Sequence, residues 1–150
     1  MDFFASEGES MKYHFKVHKE KKGYWGECVE LRGCVSQGDT IEELQQSLKE
    51  ALDLYLDEPE DSKIICPMPQ RHVRGRNLIE IQVDPQIALA TLIRTERLRR
   101  KWTQQKTAKE VGVPLYSYQR LESSKTANPE WKTLIKLRKL FPRLNLNEAA

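Results

Sequence analysis

The chain has 150 residues and few cysteines, and their spacing matches no metal-binding or disulfide pattern. The three cysteines, Cys28, Cys34 and Cys66, are odd in number and form no C-x-x-C pair. Because zinc sites and disulfide frameworks need recurrent Cys and His spacings, neither is expected. We therefore predict buried or half-buried thiols outside any disulfide, no bound metal and no cofactor.

The chain also lacks a long apolar run. No segment approaches the roughly 20 consecutive apolar residues of a membrane span, so no membrane partner is expected. Residues 1–10, MDFFASEGES, have neither the basic start nor the apolar centre of a secretory signal. We expect a cytoplasmic protein in which these ten residues form a flexible N-terminal extension. No internal repeat or low-complexity tract is present.

Charge, in contrast, is abundant and unevenly distributed. Residues 1–86 carry 11 Lys and Arg against 17 Asp and Glu, a net charge of −6. Residues 87–150 carry 14 against 5, a net charge of +9. The asymmetry indicates two domains with different partners: a polyanion for the basic half, because neutralised phosphates release counterions, and a basic protein for the acidic half. The alternative is that these charges only keep two small domains soluble.

The first half of the chain has the periodicity of a small antiparallel sheet. Alternating or short apolar segments predict five strands, at residues 12–18, 24–31, 34–36, 64–66 and 78–83. In the first of them, Tyr13, Phe15 and Val17 are predicted to face the core, and His14 is predicted to face the solvent.

One helix is predicted between these strands. Thr40 and Glu43 form a capping box at its beginning, and Pro59 ends it. Apolar residues at a 3.6-residue period predict that one side of the helix is buried. The members of this stripe are Ile41, Leu44, Leu48, Ala51, Leu52 and Tyr55.

The second half of the chain is predicted to be all helical. Asp84 followed by Pro85 is a typical helix start, and that helix is predicted to continue to about residue 101. The last helix is predicted at residues 129–141. Its expected apolar side consists of Trp131, Leu134, Ile135, Leu137 and Phe141. We place the domain boundary at residues 83 and 84, which gives a domain at 11–83 and another at 84–150.

Residues 103–125, TQQKTAKEVGVPLYSYQRLESSK, have the pattern of two short helices joined by a sharp turn. Ala108 is small where two helices must approach closely. Gly112 follows where the chain must turn, and glycine adopts positive φ there without steric cost. The second helix of the pair is predicted at residues 114–122.

Residues 11–83 resemble the N-terminal domain of the HicB antitoxin family. The similarity lies in a first strand KYHFKV, a hairpin strand GYWGECVEL, the turn RGCVSQGDT and the acidic helix IEELQQSLKEALDLYLDE. The resemblance implies an α+β protein that begins with a truncated RNase H-like domain, an antiparallel sheet plus a helix. It also implies a partner, a small basic HicA-like toxin that cleaves RNA and whose active site the antitoxin covers.

Residues 87–146 resemble a Cro/repressor-type helix-turn-helix domain, which one branch of the HicB family carries at its C-terminus. The resemblance implies binding to operator double-stranded DNA and repression of the shared operon, more tightly in complex with the toxin. Because such modules bind paired half-sites about one helical turn apart, a homodimer or higher homo-oligomer is expected. No enzymatic activity is implied.

Carried over position by position, the second resemblance implies a set of DNA-contacting residues. They are Gln104, Leu115, Tyr116, Ser117, Gln119, Arg120 and Lys125. Gln104 and Lys125 are assigned to phosphates, Arg120 to guanine and Gln119 to adenine, and Leu115 or Tyr116 to a thymine methyl.

Two further positions, Arg97 and Glu122, match a buried ion pair of the family; the alternative is two separate surface charges. Thr107, Pro114 and Ser124 depart from the family pattern, which leaves the register of the base contacts open. A degenerate module used only for dimerisation is an alternative to DNA binding.

The acidic half supplies candidate toxin contacts, namely Glu27, Glu30, Glu42, Glu50 and Asp53. A metal-dependent nuclease is the alternative suggested by an RNase H-like fold, but Glu27, Glu30 and Asp39 are not shown by sequence to converge. A stand-alone repressor with a ligand-sensing N-terminal domain is the other alternative. The basic segment RHVRGR at residues 71–76 either contacts DNA or toxin or is a solvated loop.

Overall fold

The computed structural model describes residues 11–59 and 62–145. They form two compact units, one of residues 11–56 and 66–83, the other of residues 57–59, 62–65 and 84–145. The described residues make a four-stranded antiparallel sheet and five helices, so the predicted α+β class is confirmed. The predicted extension at residues 1–10 lies outside the described part of the chain.

The sheet belongs to the first unit and is built from neighbouring antiparallel pairs. Its strands are β1 (Lys12–Lys19), β2 (Tyr24–Cys28), β3 (Val35–Gly38) and β4 (Leu78–Gln82), in the spatial order β3-β2-β1-β4. In the register of the central pair, Phe15 lies opposite Cys28 on β2, and on the other side it lies opposite Ile79 on β4.

The prediction of a strand at residues 64–66 was wrong, because these residues have no regular secondary structure. Ile64 and Ile65 are exposed, and only Cys66 is buried. A run of three apolar residues is too short to carry a periodicity, so its burial could not be judged from the sequence.

Helix α1 (Ile41–Leu56) packs on one face of the sheet. The predicted capping box is confirmed: the Thr40 hydroxyl accepts from the Glu43 amide at 3.1 Å, and the Glu43 carboxylate accepts from the Asp39 amide at 3.0 Å. The buried stripe is Leu44, Leu48, Leu52 and Leu56. Ile41 and Tyr55 were predicted to share it, but both are exposed at its edges.

Two glycines allow α1 to approach the sheet closely. A Cβ atom on Gly26 would lie 2.9 Å from a methyl group of Leu48. A Cβ atom on Gly38 would lie 2.5 Å from the backbone nitrogen of Leu44, closer than unbonded atoms approach. The glycine of the GDT turn is therefore required by the first turn of α1, not only by the end of β3.

The prediction that His14 faces the solvent was wrong, since His14 is 7% exposed. The Glu30 carboxylate accepts from the backbone N–H of His14 at 2.9 Å and lies 2.9 Å from its Nδ1 atom. The same carboxylate accepts from the backbone N–H of Gln70 at 3.1 Å. Glu30, in the irregular segment after β2, thus connects β1 to the irregular segment that contains Gln70.

The second unit contains α2 (Pro85–Arg99), α3 (Gln104–Val111), α4 (Leu115–Leu121) and α5 (Trp131–Leu140). The predicted start of α2 is confirmed, because the Asp84 carboxylate accepts from the Gln86 amide at 3.0 Å and Pro85 occupies the first turn. None of the helices in the described ranges is long and apolar enough to cross a membrane.

Helix α5 buries a narrower side than its sequence predicts. Leu137 and the following Phe141 are buried, whereas Trp131 is 72% exposed and Ile135 is also exposed. The apolar pattern of a short helix gives the side that can be buried, but the extent of burial depends on how much neighbouring surface is available. The prediction was therefore wrong for Trp131 and Ile135.

Candidate functional site

Helices α3 and α4 are joined by a tight turn, and we call them the α3–α4 pair. The Thr103 hydroxyl caps α3 by accepting from the Lys106 amide at 3.0 Å. Gly112 ends α3 with φ +82°, and its amide donates to the Ala108 carbonyl at 2.9 Å. The positive φ predicted for Gly112 is therefore confirmed. Pro114 precedes α4 without a side-chain cap, also as predicted.

The facing sides of the pair are small or apolar, with one polar exception. The side chains of Ala108, Val111, Tyr118 and Leu121 are buried. Thr107 is buried too, and its hydroxyl donates to the Thr103 carbonyl at 2.9 Å. The buried hydroxyl is thus hydrogen-bonded, which offsets most of its desolvation cost.

The structure brings Arg97 and Glu122 together in a buried ion pair. Arg97 Nε donates to Glu122 Oε2 at 2.7 Å, and Arg97 Nη2 donates to Oε1 at 2.9 Å. Arg97 Nη1 also donates to the Trp102 carbonyl at 2.9 Å. Burial alone would lower the pKa of Arg97, but the bonds to Glu122 outweigh it and raise that pKa. The guanidinium therefore stays charged and fixes α2 to the end of α4.

Tyr118 lies beside this ion pair and is fully buried. Burial raises the pKa of its hydroxyl, and the negative charge of Glu122 raises it further. Tyr118 is therefore neutral at any physiological pH and adds no charge to the interior of the unit.

The residues predicted to contact DNA lie on the outward side of the pair. Leu115, Tyr116, Ser117, Arg120 and Lys125 are exposed. Gln104 and Gln119 are partly exposed, and Gln119 Nε2 donates to Gln104 Oε1 over 3.4 Å. Gln104, which was assigned to a phosphate, and Gln119, which was assigned to adenine, therefore contact each other between α3 and α4.

Two basic residues near the beginning of α3 were missed by the sequence analysis. The guanidinium of Arg100 lies 5.2 Å from the Trp102 ring and 4.8 Å from the Phe141 ring, and the Lys106 ammonium lies 5.0 Å from the Trp102 ring. These cation–π contacts place two positive charges around the Trp102 ring, just before the beginning of α3. The sequence signal is the tryptophan inside RRKWTQQK.

The candidate toxin contacts divide into exposed and buried carboxylates. Glu42 and Glu50 are exposed on α1, and Glu27 is partly exposed on β2. Asp53 forms an ion pair with Lys49 on the same helix, with 3.1 Å between Oδ2 and Nζ. The side chain of Glu30 is only 1% exposed and is bonded to His14 and Gln70, so its assignment to a partner surface was wrong.

The other titratable groups considered are those of the described residues. In the described ranges, no three His, Cys, Asp or Glu side chains converge closely enough to hold a metal ion. Cys28, Cys34 and Cys66 are buried and outside any disulfide, as predicted. Burial raises the pKa of Cys28 to about 11 and that of Cys34 to about 12. The basic side chains of residues 71–76 are exposed.

Part of the chain is similar in sequence to proteins of one known family. The chain is 37% identical to a UPF0150 protein of Synechocystis sp., over 37% of this chain and 85% of that protein. This chain belongs to the UPF0150 family. A second UPF0150 protein of Synechocystis sp. is 38% identical over 33% of this chain and 72% of its own length. One from Helicobacter pylori is 40% identical over 32% and 67%. No family model matches the chain.

Proposed function

We propose that this UPF0150 protein is an antitoxin of the HicA/HicB type that also represses its own operon. The observation that carries the proposal is the α3–α4 pair, in which the Gly112 turn and the Arg97–Glu122 ion pair hold α4 with its polar side outward. This is the arrangement that a helix-turn-helix requires to place its second helix in the major groove. The resemblance of residues 11–83 to HicB supports the antitoxin assignment.

DNA binding is assigned to the outward side of α4. Arg120 donates to guanine O6 and N7, Gln119 contacts adenine, and Leu115 packs on a thymine methyl. Gln104 donates a hydrogen bond to a phosphate, and Lys125, Arg100 and Lys106 neutralise phosphates, which the net charge of +9 over residues 87–150 favours. Two copies of the chain bind two half-sites of one operator.

Toxin binding is assigned to the first unit, which we propose to be a truncated RNase H-like domain. Glu42, Glu43 and Glu50 are exposed and give α1 an acidic outer side. A basic RNA-cleaving toxin would be attracted to this surface, because complementary charge accelerates and orients association. The complex forms in the cytoplasm, where both operator and RNA are present.

Co-expression of the full chain with the product of the neighbouring small gene tests the antitoxin assignment. We expect the small protein alone to stop growth, and the full chain to restore growth and co-purify with it. A growth arrest that the full chain does not relieve would contradict the proposal. If the chain binds DNA but no protein, and a small molecule changes its DNA affinity, the ligand-sensing repressor is correct instead.

Two variants separate the two assigned activities within the full chain. Exchange of Glu42 and Glu50 for Lys reverses the exposed charge of α1, and we expect weaker toxin binding with unchanged DNA binding. Arg120→Ala should weaken operator binding and leave growth rescue intact. If either variant weakened toxin binding and DNA binding together, the assignment of the two activities to separate units would be wrong.

A further inference from the structure

We infer that Tyr116 is a positioning residue for Arg120, holding its guanidinium ready to contact a base, and that Tyr116 contacts no base itself. The inference rests on the proposed DNA binding. It departs from the expectation drawn from the sequence, which assigns Tyr116 to a thymine methyl.

The two side chains touch on the outward side of α4. Their positions differ by four residues, so they lie one helical turn apart on the same side. Arg120 Nη1 donates to the Tyr116 hydroxyl at 3.3 Å, and the guanidinium carbon lies 5.7 Å from the Tyr116 ring centroid. Arg120 is therefore held both by a hydrogen bond and by the face of an aromatic ring.

The backbone at Arg120 is fixed as well. The Thr126 hydroxyl donates to the Arg120 carbonyl at 2.9 Å, from the segment that follows α4. On the inner side, Tyr118 and Leu121 are buried and set the rotation of the helix. The base of the Arg120 side chain is thus anchored, and Tyr116 restricts the remaining freedom of its long stem.

Restriction of this stem matters because an exposed arginine loses side-chain entropy when it binds a base. A side chain that already occupies a small set of rotamers loses less, which is the general advantage of preorganisation. Tyr116 is 68% exposed, so it contributes little to the interior of the unit. Its ring and hydroxyl are instead directed to a neighbour that the proposed function uses.

The full-length chain tests this inference with the duplex that it selects from a random pool of double-stranded DNA. Affinity is measured for that duplex and for a series in which each base pair is replaced. We expect Arg120→Ala to reduce discrimination at one base pair by about 5- to 150-fold. Tyr116→Ala should weaken binding about two- to tenfold and reduce discrimination at that same base pair. Tyr116→Phe, which keeps the ring, should stay within about twofold of the parent chain.

The double variant distinguishes positioning from a separate contact. In the Arg120→Ala background, Tyr116→Ala should change affinity by less than about twofold, because residues that act as a unit are not additive. Trp131→Ala is the matched control, an exposed aromatic on α5 that should leave discrimination unchanged. The melting temperature of Tyr116→Ala should equal that of the parent chain.

Four results would overturn the inference. Additive effects of the two substitutions, or a loss of discrimination at a different base pair in Tyr116→Ala, would show that Tyr116 contacts its own base. Unchanged discrimination in Tyr116→Ala would show that Arg120 needs no positioning. If the parent chain selects no duplex at all, the proposed DNA binding fails together with the inference.

Discussion

Arg97 and Glu122 are 25 residues apart in sequence and form two hydrogen bonds, of 2.7 and 2.9 Å, inside the second unit. Arg97 is 6% exposed and Glu122 1%, so neither charge can be solvated by water if the other is removed. Because the pair connects α2 to the end of α4, the orientation of the outward side of α4 depends on it.

Removal of one partner should therefore be costly. Glu122→Gln leaves the Arg97 guanidinium buried without its counter-charge, and we expect a loss of about 3–5 kcal/mol in the free energy of unfolding. Urea unfolding followed by circular dichroism measures this loss. Arg99→Ala is the control, since Arg99 and Glu96 form an exposed pair at 3.5 Å and should cost less than about 0.5 kcal/mol. Equal losses would contradict the role given to burial.

Two glycines of the first unit should respond differently to the same substitution. Gly38→Asn forces a Cβ atom to within 2.5 Å of the Leu44 backbone nitrogen, and we expect a loss of about 1–3 kcal/mol. Gly33 has φ +86° and open space around it, and asparagine tolerates this conformation. Gly33→Asn should therefore cost less than Gly38→Asn in the same unfolding measurement. A neutral Gly38→Asn would show that α1 can move away from β3.

The buried thiols predict a loss of stability at high pH. The pKa of Cys28 is raised by burial from 9.0 to about 11, and that of Cys34 to about 12. The folded chain therefore retains protons that the unfolded chain releases, so stability is complete below pH 9 and falls as the pH rises toward 11. Urea unfolding midpoints measured under reducing conditions from pH 7 to about 11, the pKa of Cys28, test this loss of stability.

A chain with both cysteines replaced by alanine provides the comparison for the pH series. Its midpoint should be lower at neutral pH, because two buried side chains are shortened, but it should fall less steeply above pH 9. An equally steep fall would assign the alkaline loss to other groups.

Base contacts and phosphate contacts should be separable by substitution. Arg120→Ala should cost about 1–3 kcal/mol at its own base pair and relax specificity there. Lys125→Ala should weaken binding by a similar factor on every duplex and reduce the salt dependence by about one ion. Fluorescence anisotropy with a selected duplex and an unrelated duplex measures both. Equal weakening of the Arg120 variant on the two duplexes would contradict base recognition.

The sequence predicted well the features that depend on neighbouring residues. The capping box of Thr40 and Glu43 and the positive φ of Gly112 follow from short-range rules that hold in almost any tertiary context. The α3–α4 pair was predicted for the same reason, because its small residue and its turn glycine lie within one continuous segment.

The sequence could not predict contacts between residues that are far apart along the chain. Glu30 bonds to His14, 16 residues away, and to Gln70, 40 residues away, and neither spacing is visible as a periodicity. The strand pattern therefore placed His14 in solvent, and the acidic charge of the first half of the chain assigned Glu30 to a partner. The exposure of Trp131 was missed for a related reason, since burial of one side of α5 depends on surface supplied by other helices.

We propose that one chain binds a basic toxin with its first unit and operator DNA with its second unit. The most direct test is the anisotropy of a labelled duplex, taken from the region upstream of its coding sequence, titrated with the full chain alone and with its co-purified partner. We predict binding by the chain alone, tighter binding by the complex, and salt-sensitive affinity in both cases. Absence of binding to this duplex under both conditions would contradict the account.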